Sequence, residues 1–180
     1  FAMSSSLVFR LARDDAWTKA IFDAAAGEKI ANPTKYVKYD CDGLECYGAL
    51  FESDEASEKK NAGVVLYHTA AGPRDLFLHW KAHDLAREGY TVLIADLYGD
   101  ETGKAWENSE WTLERRARLD DFETMRKVSR AAVDAIESLG CCEKRIAAFG
   151  WCLGGRAVLE MLKGGEDRLS CAFSFHGVLD

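Results

Sequence analysis

The sequence predicts an α/β fold built on a doubly wound, mostly parallel sheet. Short continuous apolar runs at Gly63–Tyr67, Thr91–Ala95, 145–149 and 171–175 read as strands covered on both faces. Amphipathic stretches of helical period separate them. Strands alternating with helices of this length imply right-handed crossovers and parallel pairing, with ligands bound at the carboxyl ends of the strands.

The elements follow in order. Asp14 is placed to cap a helix carrying Ala16, Ile21, Phe22 and Ala25, which Gly27 stops. Residues 1–33 are therefore expected to form an N-terminal helical extension. Residues 34–51 read as a hairpin turning at Asp42-Gly43, and the polar run 52–61 as a solvated loop. After the strand at 63–67 and the loop 68–74, an amphipathic helix runs over 76–87, ended by Gly89-Tyr90. The strand at 91–95 leads into a polar loop, 98–109. Residues 110–139 read as one charged helix closed by Gly140, with Phe122, Met125, Val128, Ala132, Val133 and Ile136 as its buried stripe. A strand at 145–149, a helix at 153–162 and a strand at 171–175 complete a single domain over residues 1–180.

Bulk properties narrow the function. The chain has 180 residues, 48% hydrophobic and 29% charged, with only 2 prolines, which argues against disorder. A formal net charge of -7 disfavours nucleic acid and anionic membranes as partners. No apolar run approaches the ~20 residues that span a bilayer, and no basic flank leads into an apolar N-terminal run, so no signal peptide is expected. The six cysteines form no CxxC pair, which points to reduced thiols and a cytoplasmic enzyme.

Three loops share the carboxyl edge: His68 to Gly72, Asp96 to Asp100, and Gly150-Trp151-Cys152-Leu153-Gly154-Gly155. The third carries the chemistry. A nucleophile on a sharp strand-to-helix turn needs small neighbours, and Cys152 has glycines two before it and two and three after it. The turn would lift the sulfur to a helix N-terminus, whose partial positive charge favours an anion. The Leu153 N–H, with the Ala70 N–H from the first loop, is placed to hold an oxyanion. The plainer alternative is a buried, inert cysteine at a tight turn. A phosphate-binding glycine loop is excluded by the spacing and by the missing Lys-Ser/Thr pair.

These residues, with Tyr47-Gly48-Ala49-Leu50, Val64 to Gly72, Gly89-Tyr90, Ala95-Asp96-Leu97-Tyr98 and Ser174-Phe175-His176-Gly177, make the chain resemble the dienelactone hydrolase family of α/β hydrolases. The resemblance runs from about Tyr36 to the C-terminus. It implies a cysteine nucleophile at Cys152 within a Cys-His-Asp triad, opening small esters or lactones through an acyl-enzyme. Family members carry the triad Asp and His after later strands, and no position here inherits either role. The expectation is therefore a C-terminally truncated part of a longer enzyme, its sheet lacking the last strands and exposing an apolar edge. Thr69 stands where dienelactone-specific members carry a glutamate, which leaves the broader class of small esters or lactones. Arg115 or Arg116 falls near the family's cationic contact to an acidic substrate; a solvated helix face is the plainer reading of both.

The histidines remain. His79 and His83 are an i,i+4 pair without a third ligand at metal spacing, so no metal and no cofactor is expected. His68 is suited to orienting the first loop, beside Thr69. His176, ending the strand next to that of Cys152, is a substitute base or a packing residue. Tyr98 and Trp151 flank the crevice as pocket walls or as core. Two further readings fit the same pattern: a catalytically incomplete binding protein of this fold, and a redox-sensing thiol protein using Cys152. Nothing in the pattern specifies an oligomeric state.

Overall fold

The computed structural model describes residues 32–53, 59–99, 109–140 and 145–177. The expected N-terminal helix, most of the polar loop after Tyr98 and the Cys141-Cys142 pair lie outside the described residues. The hairpin forms as the sequence predicts. Strands β1 (Lys35–Cys41) and β2 (Leu44–Phe51) pair antiparallel around Asp42 and Gly43, with φ of 51° and 84°. Two consecutive positive φ values give the turn that matches strand twist, and Asp40 Oδ1 accepts the Gly43 N–H at 3.1 Å.

Strands β3 (Gly63–Tyr67) and β4 (Thr91–Ala95) flank α1 (Leu76–Arg87). Strand β5 (Ile146–Trp151), α4 (Leu153–Lys163) and β6 (Leu169–Phe175) follow. The sheet order is β1-β2-β4-β3-β5-β6. β2 pairs antiparallel with both β1 and β4, and the β4–β3, β3–β5 and β5–β6 contacts are parallel. The sheet is thus mixed, with its parallel half carrying the crossovers.

Helices cover both faces. Period-two alternation sends Val65, Tyr67, Leu93 and Ala95 to one side and Val64, Leu66, Val92 and Ile94 to the other. The first set packs on Met125, Val128, Val133 and Ile136 of one helix and on Ala157, Val158 and Met161 of α4. The second packs on Leu78, Ala82 and Ala86 of α1. Each such buried aliphatic contributes about 1.5–3 kcal/mol, so the central strands are the rigid part of the frame. No helix among the described residues is long and apolar enough to cross a membrane.

The single helix expected over 110–139 is instead two, α2 (Ser109–Arg118) and α3 (Phe122–Ser138). Leu119 drops into the core at 2% exposure, and Asp121 turns extended to cap α3. Its carboxylate accepts the Thr124 N–H at 2.8 Å and the Thr124 hydroxyl at 2.6 Å. An Asp ahead of an apolar-periodic run is a start signal, here embedded in a helical pattern that runs on either side of it. Phe122 accordingly leaves the expected buried stripe and lies exposed, under the Arg156 guanidinium 5.0 Å from its ring centroid.

The apolar edge expected at the last strand is present. Among the described residues β6 has a neighbour on one side only, and Phe173 and Phe175 are 48% and 42% exposed. Asp121→Ala should lower the thermal midpoint by a few degrees, while Asp121→Asn retains it because Asn caps equally well. Equal melting of the wild type and Asp121→Ala would contradict this role.

Candidate active site

Everything at the site depends on how β5 becomes α4. Cys152, between them, holds φ 54° and ψ -114°, a conformation that costs a non-glycine residue about 1–3 kcal/mol. It persists because the surroundings leave no alternative. A Cβ on Gly150 would lie 2.0 Å from the Gly154 carbonyl oxygen, and one on Gly154 would lie 2.2 Å from the Tyr67 carbonyl oxygen. A Cβ on Gly155 would meet Ser174 Oγ at 2.7 Å. The three glycines therefore let α4 start against the ends of β3 and β6. The Cys152 N–H donates to the Phe175 carbonyl at 3.0 Å, and the Cys152 carbonyl accepts the Arg156 N–H at 3.1 Å.

The sulfur is left free by this arrangement. Cys152 occupies the N-cap position of α4 without capping it, and its thiol is partly accessible. The β3–β5 register sets Tyr67 opposite Gly150, which brings the loop after β3 alongside Cys152. Among the described residues neither the Leu153 N–H nor the Ala70 N–H has a hydrogen-bond acceptor. Two unoccupied donors thus belong to the two loops that meet at the thiol.

The loop after β3 is held from behind. The Thr69 hydroxyl accepts the Ala71 N–H at 3.1 Å, and the Thr69 carbonyl accepts the Gly72 N–H at 3.2 Å. The Tyr98 hydroxyl donates to the Ala70 carbonyl at 3.0 Å. His68 Nε2 accepts the Leu97 N–H at 3.1 Å, so Nδ1 carries the hydrogen and donates to the Thr69 carbonyl at 2.6 Å. His68 is fully buried with both nitrogens engaged, and burial holds its pKa below the ordinary histidine value. The ring ties the 68–72 loop to the 96–99 loop.

Asp96 is the organiser that the sequence reading passed over. Its buried carboxylate accepts the N–H groups of Tyr47 at 3.0 Å, Tyr98 at 2.9 Å and Gly99 at 2.9 Å. The Tyr39 hydroxyl adds contacts to the Asp96 backbone. An Asp directly after a buried strand and three before a Gly is the pattern of a side chain closing its own turn, and that signal was available.

The other candidates separate. Tyr98 is buried, and burial raises its phenol pKa; Arg116 opposes the shift and Cys152 adds to it, so the hydroxyl lies within the field of both. Arg115 instead lines a cleft beside the β1–β2 turn. Trp151 stacks on Phe175 at 4.9 Å and meets Phe77 edge-on at 5.5 Å, in an aromatic row on the α1 side of the sheet. His176 follows β6 with φ 41° and is exposed. Among the described residues no histidine or carboxylate hydrogen-bonds the Cys152 thiol. His79 is buried against Phe51 and Pro73, and no cluster suited to a metal occurs among the described residues.

Two outcomes follow from this geometry. Gly154→Ala drives a methyl into the backbone of Tyr67 and should cost at least about 3 kcal/mol in urea denaturation; a variant as stable as wild type would contradict the packing. His68 must stay neutral to accept from Leu97. Its folded pKa is lowered, so its contribution is complete above the ordinary value of 6.5 and is lost as pH falls below it. His79, also lowered by burial, acts with the same sign. Unfolding free energy should therefore fall on acidification from neutral pH, and the slope should shrink in His68→Gln.

The sequence profile of the dienelactone hydrolase family matches residues 47–180. A solved structure named m3DLH is 30% identical, with a TM-score of 0.70 over 81% of this chain and 60% of its own. A dienelactone hydrolase-like promiscuous phosphotriesterase from metagenomic libraries is 27% identical, with a TM-score of 0.70 over 81% of this chain and 59% of its own. An uncharacterized protein of Caenorhabditis elegans is 38% identical over 50 residues, 27% of this chain and 32% of that protein. The chain thus spans 60% and 59% of these two solved relatives and 32% of the curated one. With the profile covering most of the sequence and the strand-turn-helix at Cys152 in place, the chain belongs to the dienelactone hydrolase family.

Proposed function

We propose that this chain carries the nucleophile of a hydrolase that cleaves small carboxylic esters or lactones through an acyl-cysteine intermediate. The observation that supports this most is the left-handed backbone of Cys152 at the β5–α4 turn, with its thiol uncommitted. A strained conformation held at a strand-to-helix turn, beside two unoccupied N–H donors, has the geometry of a nucleophile elbow.

In this reading the Cys152 sulfur attacks the substrate carbonyl carbon, and the carbonyl π pair moves to oxygen. The Ala70 and Leu153 N–H groups hold that oxyanion, aided by the positive end of α4. Collapse expels the alkoxide, which takes up a proton and leaves as the alcohol or, for a lactone, stays attached to the acyl group. Water then attacks the thioester, and the acid departs as the thiol is regenerated. The water step calls for a base oriented by a carboxylate, the company a cysteine nucleophile keeps in a triad. Free thiols at Cys41, Cys46, Cys152 and Cys171 suit a reducing, cytoplasmic setting.

Nitrophenyl esters test the assignment. The chain should release nitrophenolate in a burst matched to its concentration, with slow turnover afterwards. Cys152→Ala should lower the burst rate at least about a thousandfold. Release that continues at the wild-type rate in Cys152→Ala would overturn the proposal.

A further inference from the structure

Ala70 sits between two pinned peptide planes. Of the four polar groups on the peptides that flank it, three are engaged: the Thr69 carbonyl, the Ala70 carbonyl and the Ala71 N–H. The fourth, the Ala70 N–H, has no acceptor among the described residues. Its direction is fixed all the same. The Thr69–Ala70 peptide is trans, and a planar trans peptide points its N–H opposite to its C=O. Whatever holds the Thr69 carbonyl therefore aims the Ala70 N–H.

Two donors hold that carbonyl, and they differ in what they tie it to. The Gly72 N–H, at 3.2 Å, belongs to the same loop, so it sets the shape of the loop and moves with it. The His68 Nδ1–H, at 2.6 Å, is the shorter contact, and its ring is anchored elsewhere. Nε2 accepts the Leu97 N–H at 3.1 Å, just past the end of β4. The imidazole is fully buried and lies against the Tyr98 ring, with centroids 4.7 Å apart. Turning the ring would give up two hydrogen bonds at once in a place that water does not reach.

The result is one continuous chain of bonds. It runs from the Leu97 N–H to the imidazole, from the imidazole to the Thr69 carbonyl, and across that peptide to the Ala70 N–H. Successive hydrogen bonds polarise one another, so a carbonyl that accepts two donors leaves its own amide N–H a stronger donor.

We propose that His68 is a positioning residue for acylation. Through the Thr69–Ala70 peptide it aims and polarises the N–H that receives the oxyanion. The effect on acylation rests on the acyl-cysteine reading of Cys152; the hold of His68 on the Ala70 N–H does not.

Magnetic resonance and thiol kinetics on the full chain separate the two parts. Nitrogen shifts of His68 should show the proton on Nδ1 and a bare Nε2 at neutral pH. The Thr69 carbonyl carbon and the Ala70 amide should shift in His68→Leu and return towards wild type in His68→Gln, whose amide can donate to Thr69 and accept from Leu97. A proton on Nε2 in the wild type, or Thr69 and Ala70 signals unmoved in His68→Leu, overturns the proposal. Nitrophenyl acetate and iodoacetamide both consume the Cys152 thiol, read on its own peptide by mass spectrometry, but only the ester forms an oxyanion. His68→Leu should lower the maximal acylation rate at least about tenfold, towards the roughly hundredfold loss of a missing oxyanion donor. The half-saturating ester concentration and the alkylation rate should stay at wild-type values, and His68→Gln should recover most of the acylation. Acylation unchanged in His68→Leu, or acylation and alkylation falling together, overturns the positioning role. If His68→Leu does not fold, the wild-type tautomer decides the first part, and His68→Asn, too short to span both partners, takes its place in the kinetics. A wild type with the expected tautomer and no acylation by the ester defeats the Cys152 reading and leaves the hold on the Ala70 N–H standing.

Discussion

The site depends on one backbone constraint, the left-handed turn at Cys152. The chain leaves β5, reverses within one residue and enters α4 so close to β3 that Gly154 has no room for a methyl group. Relaxing Cys152 to an ordinary conformation would swing α4 away from Tyr67 and release the Phe175 carbonyl from the Cys152 N–H. Packing opposes that: α4 buries Ala157, Val158 and Met161 against the sheet. Burial of Val158 and of Met161 is each of the same order as the strain, about 1.5–3 kcal/mol against about 1–3 kcal/mol, and the two act together. Core packing therefore wins, and the thiol is held where the fold puts it.

A second layer sets what faces the thiol. The 68–72 loop has no regular structure of its own, so its position is dictated by hydrogen bonds from behind. His68, Asp96 and Tyr98 supply them and join the loops after β3 and β4 into one unit. These groups are buried, and their polar atoms find partners within their own loop, in the neighbouring loop or in β2, which avoids the cost of leaving a donor or acceptor dry. The Ala70 N–H is left over from this pairing among the described residues. A neutral His68 is part of that design, because a protonated ring would have no lone pair for the Leu97 N–H.

Much of this was legible in the sequence, because it rests on local rules. Short continuous apolar runs gave β3 and β4, the Asp42-Gly43 pair gave the hairpin, and the glycine spacing around Cys152 gave the turn. Other features depend on tertiary choices. Whether the 110–139 stretch is one helix or two turned on Asp121, whose capping competes with a continuous helical pattern. The roles of His68 and Asp96 needed the loops to be placed in space, since their partners lie 29 and 49 residues away in sequence. Arg115 and Arg116 are neighbours in sequence, yet the helix sends them to different surroundings, a distinction that no spacing rule supplies without the orientation of α2.

The central claim is that Cys152 itself bears the acyl group. Brief incubation of the chain with an activated ester, followed by proteolysis and mass spectrometry of the peptides, tests it most directly. The account predicts one acyl adduct, on the peptide containing Cys152, removed by hydroxylamine as a thioester is. An adduct confined to another residue, or none while ester is being consumed, would contradict it.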